Sequence, residues 1–176
     1  LEEHQREGRH VIQPGFVGAV LAPALDLLPR GMDSDRARVM LLAIGLQESR
    51  LLHRRQLVGS PPKPTGPAAG LLQFEKGGGC TGVLEHEASR DLMRWVCRVC
   101  KIKPTPGALW QAIQYDDMLA FAAGRLLLWT DPRSLPSVRD TGAAWETYLR
   151  VWRPGKQKPA TWGPNHAAAL AALGLA

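Results

Sequence analysis

The sequence predicts a mainly α-helical domain, and three observations predict it. Apolar residues recur at helical spacing in segment after segment, capping and stopping residues bracket those segments, and no stretch alternates apolar with polar residues as a half-buried strand does. With 176 residues, 45% hydrophobic composition and six Trp, the chain can bury one full core, so a single domain is expected over residues 15–176. Residues 1–14 open with the charged run Leu1-Glu2-Glu3-His4-Gln5-Arg6-Glu7 and are read as an arm with no role in the fold. They lack the basic-then-apolar order of a signal peptide, and no apolar run approaches the roughly 18 residues that span a bilayer.

In chain order, a first helix is expected over Phe16–Leu28, kinked or divided by Pro23 and stopped by Pro29. Asp33 or Ser34 then caps a helix from Asp35 to about Leu52, with Arg50, His53, Arg54 and Arg55 at its negative end. Its middle, Val39-Met40-Leu41-Leu42-Ala43-Ile44-Gly45-Leu46, is apolar on every side, which makes it central and buried. Residues 59–82 are rich in Pro and Gly and read as a long ordered loop or short hairpin, docked on the core through Gly70-Leu71-Leu72-Gln73-Phe74. Ser89 is expected to cap a helix to about Lys101. Thr105-Pro106 opens a long helix from Gly107 to Trp129, Thr141–Trp152 is another, and Pro164-Asn165 precedes a last helix, His166–Leu175.

Charge and cysteine content narrow the function classes. Lys and Arg number 22 against 16 Asp and Glu, a net +6, which favours polyanionic partners: nucleic acid, an anionic membrane surface, or a bacterial wall. The three cysteines, Cys80, Cys97 and Cys100, are too few and odd in number for a disulfide scaffold, and point to a reducing compartment at synthesis. Cys97-x-x-Cys100 with Cys80 and His86 holds enough ligands for zinc, but one Cys-x-x-Cys on a helix also suits two buried small residues. No metal and no cofactor is expected.

The residue that invites chemistry is Glu48. It stands where the apolar helix runs out, and both desolvation and the negative helix end disfavour its anion, which should raise its pKa. A carboxyl still protonated near neutral pH can donate a proton to a leaving oxygen. A solvated Glu at a helix end is the plainer reading of the same spacing.

A resemblance gives Glu48 a role. The segment Ile44-Gly45-Leu46-Gln47-Glu48-Ser49-Arg50-Leu51, followed by Gly66-Pro67-Ala68-Ala69-Gly70-Leu71-Leu72-Gln73, resembles the Glu-Ser and Gly-x-x-Gly-Leu-Met-Gln signature of soluble lytic transglycosylases and goose-type lysozymes. More weakly, Gln114–Leu127 is similar to the family helix ending in Gly-x-x-Tyr-Leu, and Gly142-Ala143-Ala144-Trp145-Glu146 stands where the family has Ala-Ala-Tyr-Asn-Ala-Gly. The ending Trp145-x-x-Tyr148-x-x-x-Trp152-Arg153-Pro154-Gly155-Lys156 is similar to small phage and prophage proteins of this group.

The resemblance implies a lysozyme-like helical domain that cleaves the MurNAc-GlcNAc glycosidic bond of peptidoglycan as a lytic transglycosylase or muramidase. Glu48 would be the single catalytic acid and base, Ser49 would support the following turn, and Gln73 would contact the sugar. Trp145 replaces the family Tyr that positions the sugar, and Tyr148, one turn on, could supply the hydroxyl. Glu75 could face the cleft, and Asp116 or Asp117 could serve as a second carboxylate if the enzyme hydrolyses, although an ion pair with Arg125 is the plainer role for them.

The expected partners are glycan strands and other virion or tail proteins. Expected locations are the virion or the bacterial cytoplasm at synthesis, with action in the periplasm or wall. Two other classes stay open: a catalytically silent virion or tail protein of the same fold, and a basic helical nucleic-acid-binding protein. The latter shows no helix-turn-helix spacing, and six Trp suit a sugar groove better.

Overall fold

A computed structural model describes residues 11–176, and it is mainly helical. The expected arm over residues 1–14 lies outside the described residues up to position 10. Residues 11–13 carry no regular structure and lead into a turn at Pro14-Gly15.

The first helical stretch opens as a π-helical segment, Val17–Leu21, and continues as α1, Ala22–Asp26. Pro23 divides it in geometry rather than breaking it. The chain widens to an i to i+5 bond, Ala22 N–H to Val17 O, immediately before the residue that has no N–H to give. After a 3-10 turn, Arg30–Met32, the central helix α2 runs over Asp35–Ser49. Ser34 is the cap, its hydroxyl accepting from Ala37 N–H at 3.2 Å.

α2 ends three residues before the expected Leu52. Arg50 and Leu51 both take left-handed dihedrals (φ 58° and 55°), and Leu51 N–H reaches back to Gly45 O while Arg50 N–H reaches Leu46 O. This is a Schellman-type stop with Arg where Gly is usual, so Arg50, His53, Arg54 and Arg55 lie beyond the helix rather than in its last turn. The folded-back Leu51 side chain occupies the room that Gly45 leaves, and a Cβ there would displace its end.

The Pro/Gly-rich region holds a short antiparallel hairpin, β1 (Ala68–Ala69) with β2 (Phe74–Glu75), in the register Ala68 opposite Glu75 and Ala69 opposite Phe74. Its turn, Gly70-Leu71-Leu72-Gln73, docks as expected, with Leu71 and Leu72 fully buried. Gly70 (φ +73°) is the one residue type that fits, since a Cβ there would meet Ile113 O at 2.7 Å.

A π-helical turn, Lys76–Cys80, leads into a short helix not read from the sequence, α3 (Thr81–Glu85). α4 covers Arg90–Val99. Ser89 does not cap it: the hydroxyl is buried and donates to Val83 O at 2.9 Å. The long helix expected over Gly107–Trp129 is two helices, α5 (Pro106–Ile113) and α6 (Asp117–Trp129), each with its own side-chain cap: Thr105 accepting from Ala108 N–H, Asp116 from Leu119 N–H. α7 spans Thr141–Trp152 as expected, capped by Asp140. α8, Pro159–Ala172, starts seven residues before the expected His166, with Pro159 in its first turn and Pro164 inside it.

The core is one cluster gathered around α2 and α6, including Leu41, Leu42, Ile44, Leu71, Leu72 and Phe121. Packing is close enough at Gly124 on α6 that a Cβ would strike Leu72. Gln47 ties α2 to α8, its amide donating to Lys158 O at 3.0 Å and accepting from Thr161 Oγ1 at 3.0 Å and Asn165 Nδ2 at 2.8 Å. Among the described residues no helix is long and apolar enough to cross a membrane.

Candidate active site

Glu48 lies one residue from the end of α2 and borders a cleft of about 1190 Å³. The walls come from the end of α2 and the segment after it, the hairpin, the π-helical turn with α3, the segment after α6, and the end of α7 with the residues leading to α8. The hairpin turn is pinned from two sides. Ser49 Oγ donates to Leu71 O at 2.6 Å and accepts from Leu51 N–H at 3.1 Å, while Trp152 Nε1 donates to Leu72 O at 3.0 Å.

The partner of Glu48 is Tyr148, whose hydroxyl donates to Glu48 Oε1 at 2.6 Å. Burial pushes the Glu48 carboxyl up to about 7. The phenol's hydrogen bond and the Lys158 charge pull it down, and Glu75 adds a push upward. The Tyr148 hydroxyl is itself held well above the usual phenol range by burial and by the facing carboxylate, so it stays a donor. Its ring stacks on Trp162 (centroids 5.1 Å, 16° between planes) and packs on Trp145 at 5.3 Å.

Placed in the structure, the sequence-predicted residues separate into two groups. Glu48, Ser49, Gln73, Glu75, His86 and Tyr148 border the cleft, with Glu75 exposed on its wall. Gln73 is held in a left-handed conformation (φ 51°), and its amide donates to Gly70 O at 2.9 Å and His53 O at 3.2 Å, so its nitrogen serves the turn. Ser49 is buried at the cleft's edge and its hydroxyl is bonded to backbone, donating to Leu71 O, so it serves as a strut for the turn. Trp145 packs in the aromatic cluster with Tyr148 and Trp162 (5.5 Å) and does not line the cleft.

Asp116 and Asp117 are not second carboxylates. Asp116 caps α6, and Asp117 is paired by Arg54 through two of the three guanidinium nitrogens, Nε at 3.1 Å and Nη2. The expected partner Arg125 is instead buried, donating to Met32 O at 2.7 Å. Neither Asp lines the cleft.

The zinc candidates are not assembled. Cys80 and Cys97 are buried in the core, where burial pushes their thiols up to about 12 and about 11, while His86 Nδ1 accepts from Ala88 N–H. Among the described residues no group of three or more His, Cys, Asp or Glu is placed to hold a metal ion.

No family model, curated protein or solved structure matches the chain.

Two features of the cleft had escaped sequence reading. One is its charge. Arg50, Arg133, Arg153, Lys156 and Lys158 border it and are exposed, while one of its acids, Asp131, is tied to Arg150 (Nε to Oδ2, 2.8 Å). The run Arg153-Pro154-Gly155-Lys156 carried part of this signal; the rest comes from segments far apart in sequence. The other is backbone conformation. Among the described residues five non-glycine positions have left-handed φ, and three of them, Arg50, Gln73 and Arg153, line this cleft. Such conformations cost on the order of 1–3 kcal/mol each and tend to collect at functional sites.

Proposed function

We propose that this chain is a lysozyme-like, peptidoglycan-cleaving enzyme acting on the MurNAc-GlcNAc bond, with Glu48 as its acid and base, delivered to the wall by a virion or its tail. The observation that carries the reading is a carboxyl with pKa near 7, hydrogen-bonded by a phenol at 2.6 Å, in a cleft larger than the 300–1,000 Å³ usual for compact ligands. A volume of that size suits a segment of polymer.

Near neutral pH a large share of Glu48 carries the proton, and with Tyr148 donating to Oε1 that proton belongs on Oε2. As the glycosidic bond breaks, its oxygen takes this proton, and the Tyr148 hydrogen bond strengthens as the carboxylate forms. Tyr148 therefore opposes the raised pKa before transfer and stabilises the anion after it. In the transglycosylase route the muramoyl 6-hydroxyl oxygen bonds to its own anomeric carbon and yields its proton to Glu48. In the hydrolytic route water does so. Trp145 sits behind the cleft, so the loss of the family Tyr at that position removes no group from the wall, and Tyr148 supplies the hydroxyl. The exposed basic residues suit a substrate bearing carboxylates, as wall glycan does on its peptide stems.

The test is zymography on purified cell wall with mass spectrometry of the products. Wild type should release anhydro or reducing muropeptides, and Glu48→Gln should lose about 10²- to 10⁴-fold in rate. Equal clearing by Glu48→Gln would refute the assignment. A protein that leaves the wall intact but binds DNA with steep salt dependence would instead make the basic cleft a nucleic-acid surface.

Tyr148→Phe gives a second check. In wild type, kcat/KM should fall as pH rises through about 7, where the acid is lost. Removing a donor that favours the anion raises the Glu48 pKa further, so this limb should move to higher pH. An unmoved limb with lower activity would reduce Tyr148 to a packing role.

A further inference from the structure

A second depression, of about 640 Å³, lies beside α5 and the break between α5 and α6. We propose that it is an accessory saccharide-binding site, built from Trp110, Gln111, Gln114 and Tyr115, which holds the part of a glycan strand that runs out of the cleft. The proposal rests on the glycan-cleaving reading of the Glu48 cleft. Continuity supports it, since Arg55 borders both depressions.

The groove is organised in advance. The Arg55 guanidinium lies 4.6 Å from the centroid of the Trp110 ring, and its Nη2 donates to Gly66 O at 2.7 Å. Its Nη1 donates to the Gln114 carbonyl oxygen at 3.3 Å, and Gln114 Nε2 donates to the Tyr115 hydroxyl at 3.0 Å. Trp110 is anchored separately, Nε1 to Pro67 O at 2.8 Å. Tyr115 is thus 79% exposed and yet held by a hydrogen-bonded chain that begins at a half-buried Arg. A large aromatic ring left in water has little to gain for the fold. Ordered beforehand, it presents an apolar face and loses less freedom on binding.

Aromatic faces beside planar amides fit pyranose rings, which offer C–H faces to the aromatics and hydroxyls and N-acetyl groups to the amides. The groove does not fit an anion, because Arg55 is committed to internal partners and Lys103 is the one other cation lining it. Nor does it fit a stable protein interface: nine residues line it, against about 20–30 a side in such complexes.

The experiment uses the full chain carrying Glu48→Gln, which binds without cleaving, titrated with N-acetylglucosamine dimer and hexamer and followed by backbone amide NMR and calorimetry. The expected result is that the hexamer shifts amides in the cleft and at 110–115, that the dimer shifts cleft amides alone, and that adding Tyr115→Ala weakens hexamer binding roughly threefold to tenfold while dimer affinity is unchanged. Hexamer binding confined to the cleft, with equal affinity for Tyr115→Ala, overturns the accessory site and leaves the glycan reading standing. Absence of shifts in the cleft and groove with both oligomers overturns the two together. A proline-rich peptide that moves 110–115 where the hexamer does not assigns the groove to a peptide and also overturns the proposal.

Discussion

The start of α6 and the end of α2 both carry carboxylates, and they use them in opposite ways. Asp116 and Asp117 stand at the N-terminus of α6, where free N–H groups and the positive end of the dipole welcome an anion, and both are consumed there by a cap and an Arg54 pair. Glu48 stands at the C-terminus of α2, where no N–H is free to cap, the dipole opposes the anion, and burial pushes the carboxyl up to about 7. The α6 carboxylates are held by the groups around them, whereas the buried Glu48 anion is opposed by its surroundings. A carboxylate placed against its own electrostatics is the one with a proton to give.

The largest effect should be on activity. Asp117→Asn, in the same assay in which the proposed mechanism predicts a loss of about 10²- to 10⁴-fold for Glu48→Gln, should keep wall-clearing within about threefold of wild type. A comparable loss in Asp117→Asn would place the catalytic carboxylate at the wrong helix end.

Next comes a stability effect that runs the other way. The Glu48 carboxyl is raised from 4.5 to about 7 on folding, so stability is fully present below pH 4.5 and is lost as pH rises from there through 7. Glu48→Gln removes that loss while keeping an oxygen for Tyr148 to donate to. It should match wild type at pH 4 and exceed it above pH 7 by up to about 3 kcal/mol. Denaturant melts at the two pH values measure this, and a mutant no more stable at pH 8 than wild type would show that Glu48 is well solvated.

How much of this was legible in the sequence depends on whether the cause is local. The buried middle of α2 followed from the apolar run Val39–Leu46 and its Ser34 cap, and the docking of Leu71 and Leu72 followed from the one apolar patch in a Pro/Gly loop. The end of α2 did not. Nothing in Ser49-Arg50-Leu51 favours left-handed dihedrals; what enforces them is the Ser49 hydroxyl on Leu51 N–H and the space above Gly45.

The start of α8 lies before Pro164, not after it, because Pro159 opens the helix and Gln47 holds it through Asn165. Tyr148 was reachable by counting one turn from Trp145, but its hydrogen bond to Glu48 joins residues 100 positions apart. The basic rim is assembled from separate segments in the same way, and no window of sequence displays it.

The α5–α6 break has a local signal, Asp116 standing just before the apolar run that begins at Met118, as an N-cap does. That cap gives the next prediction in size. Asp116→Ala removes the acceptor for Leu119 N–H and should cost about 1 kcal/mol at pH 7, with cleavage of cell wall intact. A loss near zero, measured by urea denaturation, would mean that the turn Gln114–Asp116 is held by packing alone and that the carboxylate is free for another task.

The smallest expected effect belongs to the pair itself. Asp117 is mostly covered but Arg54 is 47% exposed, so water and salt screen the interaction despite its two-nitrogen geometry. Arg54→Gln should destabilise by less than about 1 kcal/mol at low ionic strength, and the difference should shrink further in 1 M salt. Arg54 also lends its backbone carbonyl to Gly70 N–H at 2.9 Å, a bond that the substitution leaves in place. A cost well above this, insensitive to salt, would mean that the side chain holds the hairpin base against α6. The orientation of the hairpin toward Glu48 would then depend on the α6 carboxylates after all, and the two helix ends would be coupled through residues 54–70.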